Sequence, residues 1–308
     1  MFEIIIKILP LFSLVAIGYL FKRKSILNDE GLKYLTRFVM YLSLPAVLLG
    51  KLATTDFNTL IDFPFLFAYL FSLFGVMLIS GLIGYIFFSR NTKYSIMLGL
   101  GGVYGNIGFL AIPVLSITIG EWVSVPLALM LTLDLLILLP VATFLLQLNS
   151  TNEQSNITPI KALKRSLFNP LILSIMLGLF LSIWQITLPS YIVNGLGWLG
   201  KAAGPCAMFI VGTALYGRKI SQKPIAAVYM STVKLIVMPF AVYLFMSLLS
   251  VNPEWIIAAT LGAAMPCAAV LGVIAEEHKI LPQQASTVVL VTTVFSVLTI
   301  PLLIRIFS

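Results

Sequence analysis

A chain of 308 residues that is 60% hydrophobic and only 10% charged departs far from soluble domains, which run roughly 45–50% apolar and about 25% charged. Its solvent is therefore lipid. The formal net charge of +8 does not point to nucleic acid, because the basic residues sit in short connections between apolar runs and form no stripe interleaved with aromatics.

The first apolar run, MFEIIIKILPLFSLVAIGYLFKRK, is too long for a secretory h-region, and its basic cluster follows the apolar part instead of preceding it. It reads as a retained first span that begins outside. Ten spans are predicted in all, at about 2–20, 34–51, 63–88, 95–118, 123–147, 167–184, 190–217, 225–249, 254–275 and 283–306. Each is near the roughly 20 residues that cross a hydrocarbon core of about 30 Å as a helix. The alternation of apolar and polar residues that a membrane barrel needs is absent. The predicted class is an all-α polytopic membrane protein.

Orientation follows from Lys and Arg. The connections after spans 1, 3, 5, 7 and 9 hold 14 of the 19 basic residues, among them Lys22, Arg23, Lys24, Arg90, Lys164 and Arg218, whereas the alternate connections hold mainly Asp56, Asp62, Glu121 and Glu254. The positive-inside rule then puts both termini outside. The longest polar connection, residues 149–166, divides the spans five and five. Residues 1–148 and 167–308 are thus predicted to be two five-helix halves of opposite orientation, joined by a cytoplasmic linker, as in inverted-repeat transporters.

An offset of 160 residues tests the repeat. It pairs Pro10 with Pro170, Pro45 with Pro205, Pro64 with Pro224, Gly18 with Gly178 and Gly102 with Gly262. Three of six first-half prolines find a proline, where a frequency near 5% gives well under one by chance. The same offset brings VYGNIG of span 4 onto AAMPCA of span 9, so that Asn106 meets Pro266. Both segments interrupt apolar spans with residues that leave helical geometry, and backbone freed in hydrocarbon must be buried in protein or line a cavity. Matched interruptions in the two halves point to a binding site at mid-membrane, with Gly105, Asn106, Ile107, Met265, Pro266 and Cys267 as its candidate residues. Pro45 and Pro205 form a second matched pair, which either lines a cavity beside the first or lets helices approach closely.

Two charged residues lie deep in apolar spans, Asp134 in LTLDLLILLP and Lys234 in STVKLIVMP. A charge at a helix centre costs at least about 2.5 kcal/mol unless it is paired or hydrated. Asp134 is the candidate proton-accepting or cation-coordinating group. Lys234 either neutralises it, attracts an anion or snorkels to the interface. Lys201, ahead of Pro205, is placed near the outer mouth of a cavity. Cys206 and Cys267 read as small packing residues, His278 falls in a connection, and no metal site follows from them. No signature of hydrolase, metalloprotease or nucleotide chemistry occurs, so the chain is read as a non-enzyme without cofactor, coupled at most to H+ or Na+.

The segments GNIGFLAIPVL, NPLILSIMLGL, GPCAMFIVGTAL and MPCAAVLGVIAEEHKILPQQASTVVLVTTVFSVLTIPLL resemble the auxin efflux carrier family, which includes bacterial organic-acid permeases and plant PIN-type auxin exporters. The resemblance implies ten helices in two inverted repeats, with helices 4 and 9 crossing at mid-membrane. It implies a scaffold of helices 1, 2, 6 and 7 and a transport domain of helices 3–5 and 8–10 that moves as an elevator. It also implies that Asn106 contacts a substrate carboxylate. Three positions depart from the plant pattern: Gly105 replaces a proline, Asp134 a polar glutamine-type residue and Lys234 an arginine. The reading is a secondary carrier for a small organic anion, a mono- or dicarboxylate or an auxin-like acid, in a bacterial inner membrane. Its partners are that carboxylate and the bilayer, with a homodimer left open. The rival readings are a sodium-coupled symporter resembling the bile-acid family, or a sensor or channel.

Overall fold

The computed structural model describes residues 2–55, 62–148, 167–217, 221–222 and 224–307; the predicted linker, 149–166, lies outside them. Helices account for nearly all of this chain: α1 (Phe2–Arg23), α2 (Asp29–Ala53), α3 (Phe63–Phe87), α4 (Thr92–Val103), α5 (Ile107–Thr118), α6 (Glu121–Leu148) and α7 (Pro170–Ile183). They continue as α8 (Ser190–Lys201), α9 (Ala203–Leu215), α10 (Ile225–Leu248), α11 (Pro253–Ala263), α12 (Val270–Glu277) and α13 (Pro282–Phe307). Among the described residues no strand forms, and one isolated antiparallel bridge joins Gly105 to Cys267.

Among the described residues, six segments are long and apolar enough to cross a membrane: α2, α3, α6, α8 with α9, α10 and α13. Large apolar side chains face outward along them, including Phe71, Leu78, Phe87, Phe240 and Leu298. In water such a surface would aggregate; in lipid it is the normal exterior. The chain is a multi-pass membrane protein.

Helix starts follow from capping. Asn28, Asp62, Asn91, Asn169 and Asn252 each accept a hydrogen bond from a backbone N–H of the first turn, satisfying donors that have no partner within the helix. Interior irregularities lie where the charged and proline residues sit. Asp134 opens a π-helical turn, Asp134–Leu138, within α6, and Lys234 lies in another, Val233–Val237, within α10. Pro45 follows a third, Val39–Ser43, so its missing N–H falls where the helical ladder has already widened.

Backbones meet directly where α1 crosses α9. A Cβ on Gly18 would overlap the carbonyl oxygen of Phe209, and one on Gly212 would overlap that of Val15. α7 packs closely on α2 as well, with a Cβ on Gly178 falling 2.7 Å from Leu52 Cβ. Because the obstructing atoms at the first crossing are main chain, neither helix can yield. Gly212→Val is expected to lower the thermal unfolding temperature in detergent by roughly 5 °C or more, while Gly195→Ala, with open space around it, stays within about one degree of the parent.

Candidate functional site

The two interruptions predicted in spans 4 and 9 are both present. α4 ends at Val103 and α11 at Ala263, 160 residues apart. Beyond Val103 the backbone extends, with Tyr104 at φ −72°, ψ 108° and Asn106 at φ −85°, ψ 63°, before α5 begins in a π-helical turn. The freed backbone groups bond to each other across the gap. The Asn106 N–H donates to Pro266 O at 2.8 Å, and the Ala268 N–H donates to Tyr104 O at 3.4 Å. The Cys267 N–H donates to Thr292 Oγ1 of α13 at 3.0 Å. Hence donors that the sequence alone leaves available for a ligand are taken up within the protein.

The last carbonyls of α4 and α11 carry the negative ends of two helix dipoles. Lys234 answers both. Its Nζ donates to Val103 O at 3.1 Å and to Ala263 O at 2.7 Å, and the residue is 1% exposed. Lys234 therefore joins the two broken helices to α10 at the crossing. The departure at position 105 has a reason in the same contact. A Cβ on Gly105 would lie 2.8 Å from that Nζ, too close for any side chain unless the ammonium moved.

Asp134 reaches the same region from α6. Its Oδ1 accepts a hydrogen bond from Tyr69 Oη at 2.9 Å, and its Oδ2 is buried with no hydrogen-bond partner among the described residues. Asp134 and Lys234 form no ion pair among the described residues; the direct neutralisation offered as one role for Lys234 is replaced by bonds to two carbonyls. A buried carboxylate oxygen without a donor is costly.

The candidate residues divide into two groups. Gly105, Ile107, Met265, Pro266 and Cys267 are buried at the crossing, and Asn106 is part-exposed, its side-chain amide making no hydrogen bond among the described residues. Pro205 instead lines a separate cavity of ≈ 530 Å³ bounded by α2, α5, the start of α6, α8 and α9. Pro45 adjoins its wall at Ala46, and Lys201 lies on it. Tyr69, Thr292, Lys51 and Glu121 do not stand out in the sequence. A tyrosine or threonine in an apolar run is unremarkable by itself, and Lys51 and Glu121 stand at span ends, where charge reads as topology.

The family model described as "Membrane transport protein" matches residues 3–304. A Rhizobium meliloti protein named "Putative malonate transporter" is 30% identical over 303 residues, covering 97% of this chain and 94% of that one. The "Uncharacterized transporter YfdV" of Escherichia coli is 23% identical over 298 residues, 96% of this chain and 95% of that protein. A mouse "Lysosomal cholesterol signaling protein" is 25% identical over 249 residues, 75% of this chain but 28% of that longer protein.

Replacing Lys234 by Met keeps the volume and removes the donor, which leaves two buried carbonyls unpaired at about 1–3 kcal/mol each. Lys234→Met is expected to lower the thermal unfolding temperature by roughly 5–10 °C. Asn106→Ala, which removes no internal hydrogen bond among the described residues, leaves it within about 2 °C.

Proposed function

The chain belongs to the membrane transport protein family, the family of the auxin efflux carriers, and from that premise we propose that it is a secondary carrier for small carboxylates, with substrate bound at the crossing of the two interrupted helices. The observation that carries this reading is Asn106: an amide with no hydrogen bond among the described residues, part-exposed, where two half-helices begin beside broken backbone. Their N-termini favour anions, and an amide N–H adds direction. The name of the Rhizobium meliloti relative agrees with a carboxylate.

In this reading the chain has ten crossings in two inverted repeats, 1–148 and 167–308, in a bacterial inner membrane with both termini outside. Two features support the repeat: interruptions 160 residues apart, and the glycine-mediated crossings of α1 with α9 and of α7 with α2. The scaffold is α1, α2, α7, α8 and α9; the transport domain is α3 to α6 and α10 to α13, moving as an elevator so that the crossing faces each side in turn. The cavity of ≈ 530 Å³ lies along the boundary between these groups. Asp134 couples the cycle: its unpartnered Oδ2 takes up a proton or Na+, and Tyr69 holds the other oxygen in place.

Asn106→Ala is expected to abolish counterflow of labelled malonate in proteoliposomes while the protein stays folded; undiminished counterflow would remove Asn106 from the site. Asp134→Asn removes the dependence of flux on pH or sodium, whichever the parent shows. Sodium-induced thermal stabilisation at constant ionic strength selects Na+, and its absence alongside a pH-dependent flux selects H+.

A further inference from the structure

The cavity between α2, α5, α8 and α9 carries charge that the crossing does not use. Lys51, in the last turn of α2, forms an ion pair with Glu121 at the start of α6, and Lys201 closes α8. Among the described residues these three are the only charged groups lining the cavity. Two cations and one anion leave it with an excess of positive charge. The helices that carry the two lysines pack closely: a Cβ on Gly200, next to Lys201, would lie 2.9 Å from Val47 Cγ2, and Val47 precedes Lys51 by about one helical turn. The volume of ≈ 530 Å³ falls in the range of small-molecule pockets, about 300–1,000 Å³.

The ion pair also has a direction. Lys51 belongs to the scaffold group of helices and Glu121 to the transport group, so the contact spans the boundary that alternating access must shear. Its side chains are 36% and 72% exposed, open to exchange of partners. Glu121 is in effect a resident carboxylate, and another carboxylate can take its place.

We propose that this cavity is an outer vestibule site selective for dicarboxylates, in which one carboxylate of the substrate pairs with Lys201 and the other displaces Glu121 from Lys51, releasing the tie between α2 and α6. A monocarboxylate satisfies Lys201 alone and leaves the tie closed. This inference rests on the carboxylate-carrier reading above and adds to it the class of substrate and the residues that select it.

The test compares malonate with propionate, which has the same number of carbons and one carboxylate fewer. In proteoliposomes, Lys51→Gln should raise the KM for malonate about threefold to tenfold relative to propionate, erasing the preference, whereas Lys201→Gln should raise the KM for both substrates. Glu121→Gln should lower the malonate KM about twofold to fivefold by removing the competitor. Binding is read separately in detergent from Trp198, which lines the cavity, with Trp122, Trp184 and Trp255 changed to Phe. Malonate should shift its fluorescence, and the shift should weaken in both lysine variants and survive in Lys51→Arg and Lys201→Arg. A Lys51→Gln protein that unfolds like the parent yet keeps its malonate preference and Trp198 response overturns the proposal. Asn106-dependent transport with a lysine-independent preference refutes the vestibule alone. A lysine-dependent Trp198 response without Asn106-dependent transport refutes the crossing as the transport site and keeps the vestibule.

Discussion

Two helices interrupted inside an apolar protein leave main-chain donors and acceptors that hydrocarbon cannot satisfy, and each unsatisfied group costs several kcal/mol. The structure meets this with one ammonium and two antiparallel hydrogen bonds. Lys234 takes the final carbonyls of α4 and α11, while the segments beyond them pair with each other. Burying an ammonium costs several kcal/mol in its own right. Two charge-assisted hydrogen bonds at about 1.5–3 kcal/mol each, strengthened by two helix dipoles, offset that penalty. The glycine at 105, the π-helical turn in α10 and the placement of the two interruptions all serve this contact.

Once Lys234 is committed to the crossing, the remaining buried charge has a clearer task. Asp134 is held by Tyr69 through one oxygen and has no hydrogen-bond partner at the other among the described residues. The acid stands near the ammonium without an ion pair between them, so uptake of a proton or cation need not undo the structural contact that joins α4, α11 and α10. In the proposed cycle, anchoring and coupling fall to different side chains. Asn106, which anchors through its main chain, leaves its amide side chain for a ligand in that proposal.

Much of this is legible in the sequence, and the reasons differ from residue to residue. The interruptions can be seen because glycine and proline weaken a helix wherever they fall in an apolar run, and because the offset of 160 repeats them. The family can be seen in the GNIGFLAIPVL and MPCAAVLGV segments, and the match over residues 3–304 bears that resemblance out. Lys234 is visible as a charge in a span, but its partners are carbonyl oxygens, and every residue has one; no side-chain pattern announces them. Tyr69 is invisible for the opposite reason, since 65 residues separate it from Asp134. Lys51 and Glu121 lie in plain view, yet charges at span ends ordinarily set topology, and only the fold shows that the two meet.

A carboxylate bound at the crossing through Asn106 is the point on which the proposed transport mechanism turns. An experimental structure of the protein in lipid nanodiscs with malonate bound tests it most directly. The expected result is a carboxylate oxygen about 2.7–3.2 Å from the Asn106 side-chain nitrogen, beside the Gly105–Cys267 bridge, with the Lys234 bonds to Val103 and Ala263 intact. Malonate bound elsewhere, with the Asn106 amide out of hydrogen-bond reach, would contradict it.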